Sequence, residues 1–473
     1  MKRVRLPLPD AKWLSPFQPQ RSDPDLRPVP LGFLAIIAVG TALLLLPFSH
    51  LPGRPLHWIN AFFLATSATC VNGLSPINVA ETLSGFGQGV LLALVQAGGL
   101  GIITASLALV MLSGERLSLA HEGAVTATIG RLQRARPAEL FRFSCLVIAL
   151  MEAAGATSLY WRLQTQNPAA DPLGLIWQAV FYSVNAFCNA GFSIFPEGLA
   201  RWRGDAALLG IVDLLVIAGG IGLLSLVNLR YYYFWRRDPR RRGRITLQTR
   251  LTVVVSALLI AAGTVATLLF EWGHTLAGQP WAQKLSWAAF HSVMTRTGGF
   301  NVVDVGQMHP ATLLSSLVLM FIGGSPGSMA GGIKTVTVAI LFCTARAALL
   351  RQETVQVFGR RIAPRMSGIA LMIALLGLTV AATGIGALML TELGQPSSAA
   401  RGNWLGLAFE AVSAFGTVGL STGVTGLLTI SGKLVVIALI FTGRVGPLML
   451  AVYLARPVKP WHVRYPEEDV ALG

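Results

Sequence analysis

The chain has 473 residues, of which 53% are hydrophobic and only 12% charged, with a mean hydropathy of +0.62. A soluble domain carries about twice that share of charge, which excludes a soluble multidomain enzyme, and disorder is excluded by the high hydrophobicity. The net charge of +16 would suggest nucleic acid in a soluble protein, but here the basic residues fall between long apolar runs and read as signals of membrane topology.

Residues 1–30 lack the apolar core of a cleavable signal peptide. They contain Lys2, Arg3, Arg5, Lys12, Arg21 and Arg27 and read as a retained cytoplasmic tail. A spanning helix needs about 20 mostly apolar residues. Eight such runs follow, at 31–49, 88–112, 141–163, 206–234, 247–270, 311–345, 366–391 and 431–455. The connection after the second holds Arg116, Arg131, Arg134 and Arg136, that after the fourth holds Arg230 and the cluster Arg236–Arg244, and that after the sixth holds Arg346, Arg351, Arg360, Arg361 and Arg365. Arg456, Lys459 and Arg464 follow the last run, whereas the alternate connections are poor in basic residues. Both termini are therefore expected in the cytoplasm, with membrane lipids as a secondary partner of the Arg236–Arg244 cluster. Cys70, Cys145, Cys188 and Cys343 form no CxxC pair, so neither a disulfide framework nor a zinc site is expected.

Each of the four non-basic connections contains an amphipathic stretch and then a glycine-centred string. The strings are Val71-Asn72-Gly73, Asn189-Ala190-Gly191, Thr297-Gly298-Gly299 and Thr417-Val418-Gly419, each followed by Leu or Phe and then Ser or Asn. The glycines are 118, 108 and 120 residues apart. A second register recurs downstream at Gly98-Gly99, Gly219-Gly220, Gly323-Gly324 and Gly443-Arg444. Two registers recurring together four times define a repeated unit. The expected fold is all-α integral membrane, with four helix–pore-loop–helix repeats in one chain around a pseudo-fourfold pore. The repeats run over 31–112, 141–235, 247–345 and 366–455, followed by a cytoplasmic tail at 456–473. Irregular backbone at membrane depth survives only when buried or lining a cavity, so the strings are expected at the axis. There the C-terminal dipoles of the short helices and rings of backbone carbonyls would favour a monovalent cation.

Thr417-Val418-Gly419-Leu420 resembles the Thr-Val-Gly-Tyr core of potassium channel filters. The longer strings Ser183–Ser193, Arg296–Asn301, Phe409–Ser421 and Gly443–Leu448, with Tyr465-Pro466-Glu467-Glu468 and Gly473 at the end, resemble the Trk/Ktr/HKT superfamily of potassium transporters, and within it the KtrB type. That resemblance covers residue 30 onward. It implies potassium uptake with sodium as a stimulator, and a homodimer on a cytosolic octameric KtrA-type ring of nucleotide-binding subunits. It also implies a bacterial cytoplasmic membrane location and no cofactor beyond the permeating K+. Gly73 stands where sodium-favouring plant relatives often have Ser, Asn72 where Thr is common, and Gly298 where Ala is common. A sodium or weakly selective monovalent cation transporter is the alternative, and a non-transporting scaffold of the same fold a remoter one.

Span six is interrupted by Gly323-Gly324-Ser325-Pro326-Gly327-Ser328-Met329-Ala330-Gly331-Gly332, which cannot hold a regular helix. It is expected to be a gate, with Lys334 anchoring it or marking the cytoplasmic boundary. A phosphate-binding loop is excluded because Ile333 separates the last glycine from Lys334 and both flanks are spans. Arg444 is expected beneath the strings, repelling cations or holding the loop closed. Glu410 is expected to brace the fourth short helix or neighbouring amides, and Arg296 to pair with a carboxylate. Asp304 reads as a turn residue or an influence on ion entry. Glu152 and Asp213 are intramembrane carboxylates without an assigned partner. His57, His274 and His291 share no ligand spacing, and nothing resembles a catalytic constellation.

Overall fold

The computed structural model describes residues 28–112, 137–234, 245–392 and 404–454. The sequence readings for the two tails, for Arg116, Arg131, Arg134, Arg136 and Arg236–Arg244, and for Tyr465–Glu468 lie outside the described residues. The pattern outer helix, short helix, string, inner helix occurs four times. Unit one has α1 (Pro28–Leu44), α2 (Trp58–Thr69) and α3 (Gly85–Leu112). Unit two has α4 (Pro137–Gln166), α5 (Pro172–Cys188) and an inner helix in two pieces, α6 (Ala206–Ile221) and α7 (Leu223–Phe234). Unit three has α8 (Leu247–Glu271), α9 (Trp281–Met294), α10 (Pro310–Phe321) and α11 (Thr335–Leu349). Unit four has α12 (Pro364–Glu392), α13 (Trp404–Gly416) and α14 (Ile430–Leu454). A two-stranded antiparallel hairpin, Gln356–Val357 with Arg360–Arg361, lies between α11 and α12 and departs from the all-helical expectation.

Among the described residues, Arg142–Gln166, Leu247–Glu271 and Pro364–Glu392 are long and apolar enough to cross a membrane unaided, with shorter apolar helices beside them. Large apolar side chains remain exposed along these helices, including Leu258, Leu269, Leu371 and Leu375, which suits lipid as the surrounding solvent. Trp58, Trp161, Trp272, Trp281 and Trp404 are all at least half exposed and sit where outer helices end or short helices begin. Indole rings favour the membrane–water boundary, and these mark the face opposite the basic connections.

Helix ends on the tryptophan face are closed by carboxylates. Glu271, the last residue of α8, accepts from the backbone N–H of His309 (2.8 Å) and from Thr312 Oγ1 (2.5 Å), at the N-terminus of α10. Glu392, the last residue of α12, does the same for α14 by accepting from Thr429 N (3.1 Å) and Thr429 Oγ1 (2.5 Å). In unit two the carboxylate is on the inner helix itself: Asp205 caps Ala207 and Leu208 and accepts from Arg162 Nε at 2.7 Å. An uncapped N-terminus leaves orphan donors that favour a negative partner, so an outer helix ending in Glu is tied to its own inner helix.

The fourth run, read as continuous over 206–234, is broken at Gly222, whose φ is +87°. The break has a physical partner. Leu223 N–H donates to Gly327 O (3.3 Å), while Ser325 N–H and Met329 N–H donate to Gly220 O (3.0 Å) and Gly219 O (3.2 Å). The glycine-rich segment of unit three thus satisfies its backbone on the opened helix of unit two, as irregular chain at membrane depth requires.

Candidate functional site

The four strings meet. Val71, Asn189 and Thr417 each occupy the left-handed residue that ends a helix, with φ of +53°, +61° and +49°. The flanking bonds recur: Val71 N–H to Ala68 O and Asn72 N–H to Ser67 O, Asn189 N–H to Ala186 O and Ala190 N–H to Asn185 O, Thr417 N–H to Ala414 O and Val418 N–H to Ser413 O, all 2.8–3.1 Å. This is the 6→1 and 5→2 pattern of a Schellman cap, usually closed by glycine. Here it is closed by Asn189, which tolerates that region, and by the β-branched Val71 and Thr417, which are strained there. Thr297 also has positive φ, but Gly298 and Gly299 both reach back to Met294 O, so the third helix ends in a different register.

Two residues on, Gly73, Gly191, Gly299 and Gly419 have φ of +101°, +69°, +74° and +90°. They form a closed ring. A Cβ on Gly73 would run into Ala190 O, and one on Gly191 would lie 3.0 Å from Gly298 O. A Cβ on Gly299 would lie 2.7 Å from Val418 O, and one on Gly419 would run into Asn72 O. Each glycine thus receives the carbonyl of a neighbouring string on the side where a side chain would be, in the cyclic order one, two, three, four, one. Glycine is required by both conformation and space.

Side chains of the strings point into the protein. Asn72 Nδ2 donates to Ser413 O and Ala414 O, both at 3.3 Å, while its Oδ1 accepts from Leu74 N–H at 3.0 Å. The amide of Asn189 and the hydroxyl of Thr297 are 3.0 Å apart; with the amide oxygen accepting, its nitrogen donates to Phe187 O. Gly298, where Ala is common in the resembled superfamily, lies against Met294 Sδ, which occupies the volume of a Cβ.

The second register has a structural cause in three units. Gly98, Gly219 and Gly443 lie against Thr69 O, Phe187 O and Phe415 O, each four residues before the ring glycine, so the inner helix can approach the end of the short helix only without a Cβ. In unit three the inner helix stops at Phe321, and Gly323 lies instead against Gly331 O of its own segment. The recurrence in sequence conceals this change of use.

Residues 323–332 touch all four units. Gly331 lies against the side chain of Thr417, and Ser325 Oγ donates to Ile221 O. Met329 packs beside Gly99 and Cys188. The N–H of Met329 is held by unit two, and its carbonyl accepts from Arg444 Nη1. Ser328 Oγ donates to Ser325 O (2.7 Å), Lys334 Nζ donates to Ala330 O (2.6 Å), and Gly332 (φ +64°) turns the chain back so that Ile333 pairs with Ile322. Pro326 and Gly327 form the tip against Gly222, with Gly327 at φ +73°. Gly323 and Gly324 begin the segment, and Thr335 N–H returns to Gly324 O at 3.0 Å. Bonded to units two and four and packed against unit one, the segment is held by the whole set of repeats.

The remaining candidates separate clearly. Arg444 is 4% exposed and keeps Nε and Nη2 without partners. Glu410 accepts from Ser421 Oγ (2.5 Å), Thr422 N–H (3.0 Å) and Thr425 Oγ1 (2.7 Å), fixing the chain that leaves the fourth string. Replacing Glu410 with Ala leaves these donors unpaired and is expected to lower stability by about 1–3 kcal/mol, measured as earlier thermal unfolding of the purified protein. The expected carboxylate partner of Arg296 is absent: its bonds go to Ser256 Oγ, Ser256 O and Gly323 O. Among the described residues no carboxylate reaches it, and the intramembrane Glu152 is engaged with other groups. Glu152 accepts from Gln96 Nε2 at 3.1 Å and faces Cys188 Sγ at 3.6 Å. Asp304 caps the turn at Gly306, and Asp213 Oδ1 is buried without a partner. His291 bonds Ser316 Oγ at 3.0 Å and His274 lies beside Glu271 at 3.3 Å. His57 only precedes α2, without a capping bond. No cluster of metal-ligating residues occurs among the described residues.

Comparison with known proteins gives a consistent result. The TrkH family, described as cation transport protein, matches residues 33–460. The potassium/sodium uptake protein NtpJ of Enterococcus hirae is 33% identical over 95% of this chain and 98% of its own. Ktr system potassium uptake protein B of Bacillus subtilis is 33% identical over 94% of this chain and 95% of its own. The crystal structure of the potassium transporter TrkH from Vibrio parahaemolyticus superposes with a TM-score of 0.66 at 18% identity, over 90% of this chain and 82% of that one.

Proposed function

The chain belongs to the TrkH family of cation transport proteins and is of its KtrB type, and on that premise we propose that the ring of four strings is a potassium selectivity filter gated by the segment 323–332. It is a potassium/sodium uptake transporter of the membrane and not an enzyme. The observation that carries the finer reading is the closed ring, in which each glycine receives a carbonyl from the adjoining string. Backbone carbonyls of Asn72, Ala190, Gly298 and Val418, with those of Val71, Asn189, Thr297 and Thr417, then replace the hydration shell of K+. The four short-helix C-termini contribute negative dipole ends.

Arg444 and Lys334 hold the gating segment through the carbonyls of Met329 and Ala330. Opening requires those bonds to break. The name of the Bacillus subtilis relative supports regulation by a second Ktr component, which we assign to a cytosolic nucleotide-binding ring beneath a homodimer. Described arginines at Arg250, Arg346, Arg351, Arg360, Arg361 and Arg365 lie at or beside the helix ends away from the tryptophans, supporting a cytoplasmic face there and insertion in the bacterial inner membrane. Sodium acts as stimulator in this reading.

The decisive experiment is rubidium-86 uptake into proteoliposomes, competed separately by potassium and sodium. Competition by potassium alone is the expected result. Equal competition by sodium would establish the second reading, a weakly selective cation transporter, which the potassium/sodium designation of the Enterococcus hirae relative favours.

A further inference from the structure

Arg296 directly precedes the third string and is 9% exposed. A guanidinium has five donors and never loses its charge. Here Nη2 reaches Ser256 Oγ at 3.1 Å, while the contacts to Ser256 O (3.4 Å) and Gly323 O (3.5 Å) are long. Nε is buried and bonded to nothing. No carboxylate compensates the charge among the described residues. A buried cation in a membrane protein is paired or faces a cavity, and this one faces a cavity.

The cavity lies at the seam between units two and three. Its wall includes Arg296, Ser256, Val216, Gly220, Ile260 and Val293. Its free volume is small, about 10 Å³, which favours a water or a single monatomic ion over sulfate, phosphate or a lipid headgroup. The hydroxyl of Ser256 accepts from Arg296 and still has its own proton to give. The other wall residues named are apolar or glycine, so they offer a hydrated cation nothing.

We propose that this cavity is a binding site for a single monatomic, monovalent anion, chloride under ordinary ionic conditions, held between the Arg296 guanidinium and the Ser256 hydroxyl. Bound chloride neutralises the charge that lies one residue behind Thr297. Its removal leaves an uncompensated cation beside the third string, which repels the permeating ion. The effect on flux rests on the filter reading above; the binding does not.

Two measurements on the purified full chain test this. Thermal unfolding is followed in potassium chloride, bromide, sulfate and gluconate at equal ionic strength. Chloride and bromide are expected to raise the melting temperature saturably, and sulfate and gluconate to leave it unchanged. Arg296→Gln removes the shift. Ser256→Ala raises the half-saturating chloride concentration about tenfold, as loss of one hydrogen bond to an ion predicts. The serine variant decides the matter if the arginine variant does not fold. Identical unfolding in chloride and gluconate would mean that the cavity holds water and would overturn the proposal, as would an equal shift in sulfate.

Rubidium-86 uptake is then compared in chloride and gluconate, and is expected to be several-fold faster in chloride. A chloride-dependent shift with salt-independent uptake would sustain the site and overturn its coupling to the string. Loss of potassium selectivity with the shift intact would defeat the filter reading alone.

Discussion

Gly73→Ser is expected to abolish discrimination between potassium and sodium and to lower rubidium uptake sharply. The serine Cβ would run into Ala190 O, the carbonyl that the second string presents to the first, and the residue would hold a φ of +101°. A non-glycine residue in such a region costs roughly 1–3 kcal/mol, and relief of the clash can come only from displacing Ala190. That displaces one carbonyl of a ring whose other members are packed against fixed neighbours. Selectivity follows the number and placement of coordinating oxygens. Equal competition of rubidium uptake by sodium and potassium in the variant, with wild type competed by potassium alone, is the predicted outcome. Unchanged competition in a folded variant would show that the oxygen ring does not select the ion.

Arg444→Gln is expected to have the opposite sign on flux. The guanidinium donates to the carbonyl of Met329, within the segment proposed as the gate. A hydrogen bond to a charged group contributes about 1.5–3 kcal/mol, so its loss shifts the closed-to-open balance by roughly 10- to 150-fold. Glutamine removes the charge beneath the ring as well, which lowers the electrostatic barrier to a cation. Rubidium flux through the isolated protein should therefore rise by at least about tenfold. Flux equal to wild type in a well-folded variant would refute both the tether and the barrier.

Much of this architecture was legible in the residues. Hydropathy and the distribution of arginine show a multiply spanning chain, and the repeated glycines align the strings that the structure brings into contact. Gly73, Gly191, Gly299 and Gly419 could be recognised because a shared backbone demand repeats as a shared residue. The break at Gly222 could not, because a glycine beside Gly219-Gly220 reads as part of the repeated register and its partner, Gly327, is 105 residues away. Partnerships between units leave no periodic trace. The same holds for Arg296: a buried arginine predicts a counter-charge, and only the positions of Glu152, Glu271 and Glu410 show that each is engaged elsewhere. Gly323 misleads differently, since its register matches the other units while its neighbour is its own segment.

The seams between units differ in chemistry. Trp177 Nε1 donates to Gln88 Oε1 (3.0 Å) between two and one, and Trp287 Nε1 donates to Arg203 O (2.7 Å) between three and two. Phe321 and Phe415 stack at 6.0 Å between three and four, and Lys433 Nζ reaches Asn60 Oδ1 (2.9 Å) between four and one. Four look-alike modules therefore carry distinct addresses, and each accepts one neighbour on each flank. The last address is read late, for Asn72 meets Ser413 across 341 residues of chain. A nascent polypeptide emerging N-terminus first has no complete conduit until its final quarter is made. A partial product lacks the fourth string, so the ring of glycines and carbonyls cannot close within it.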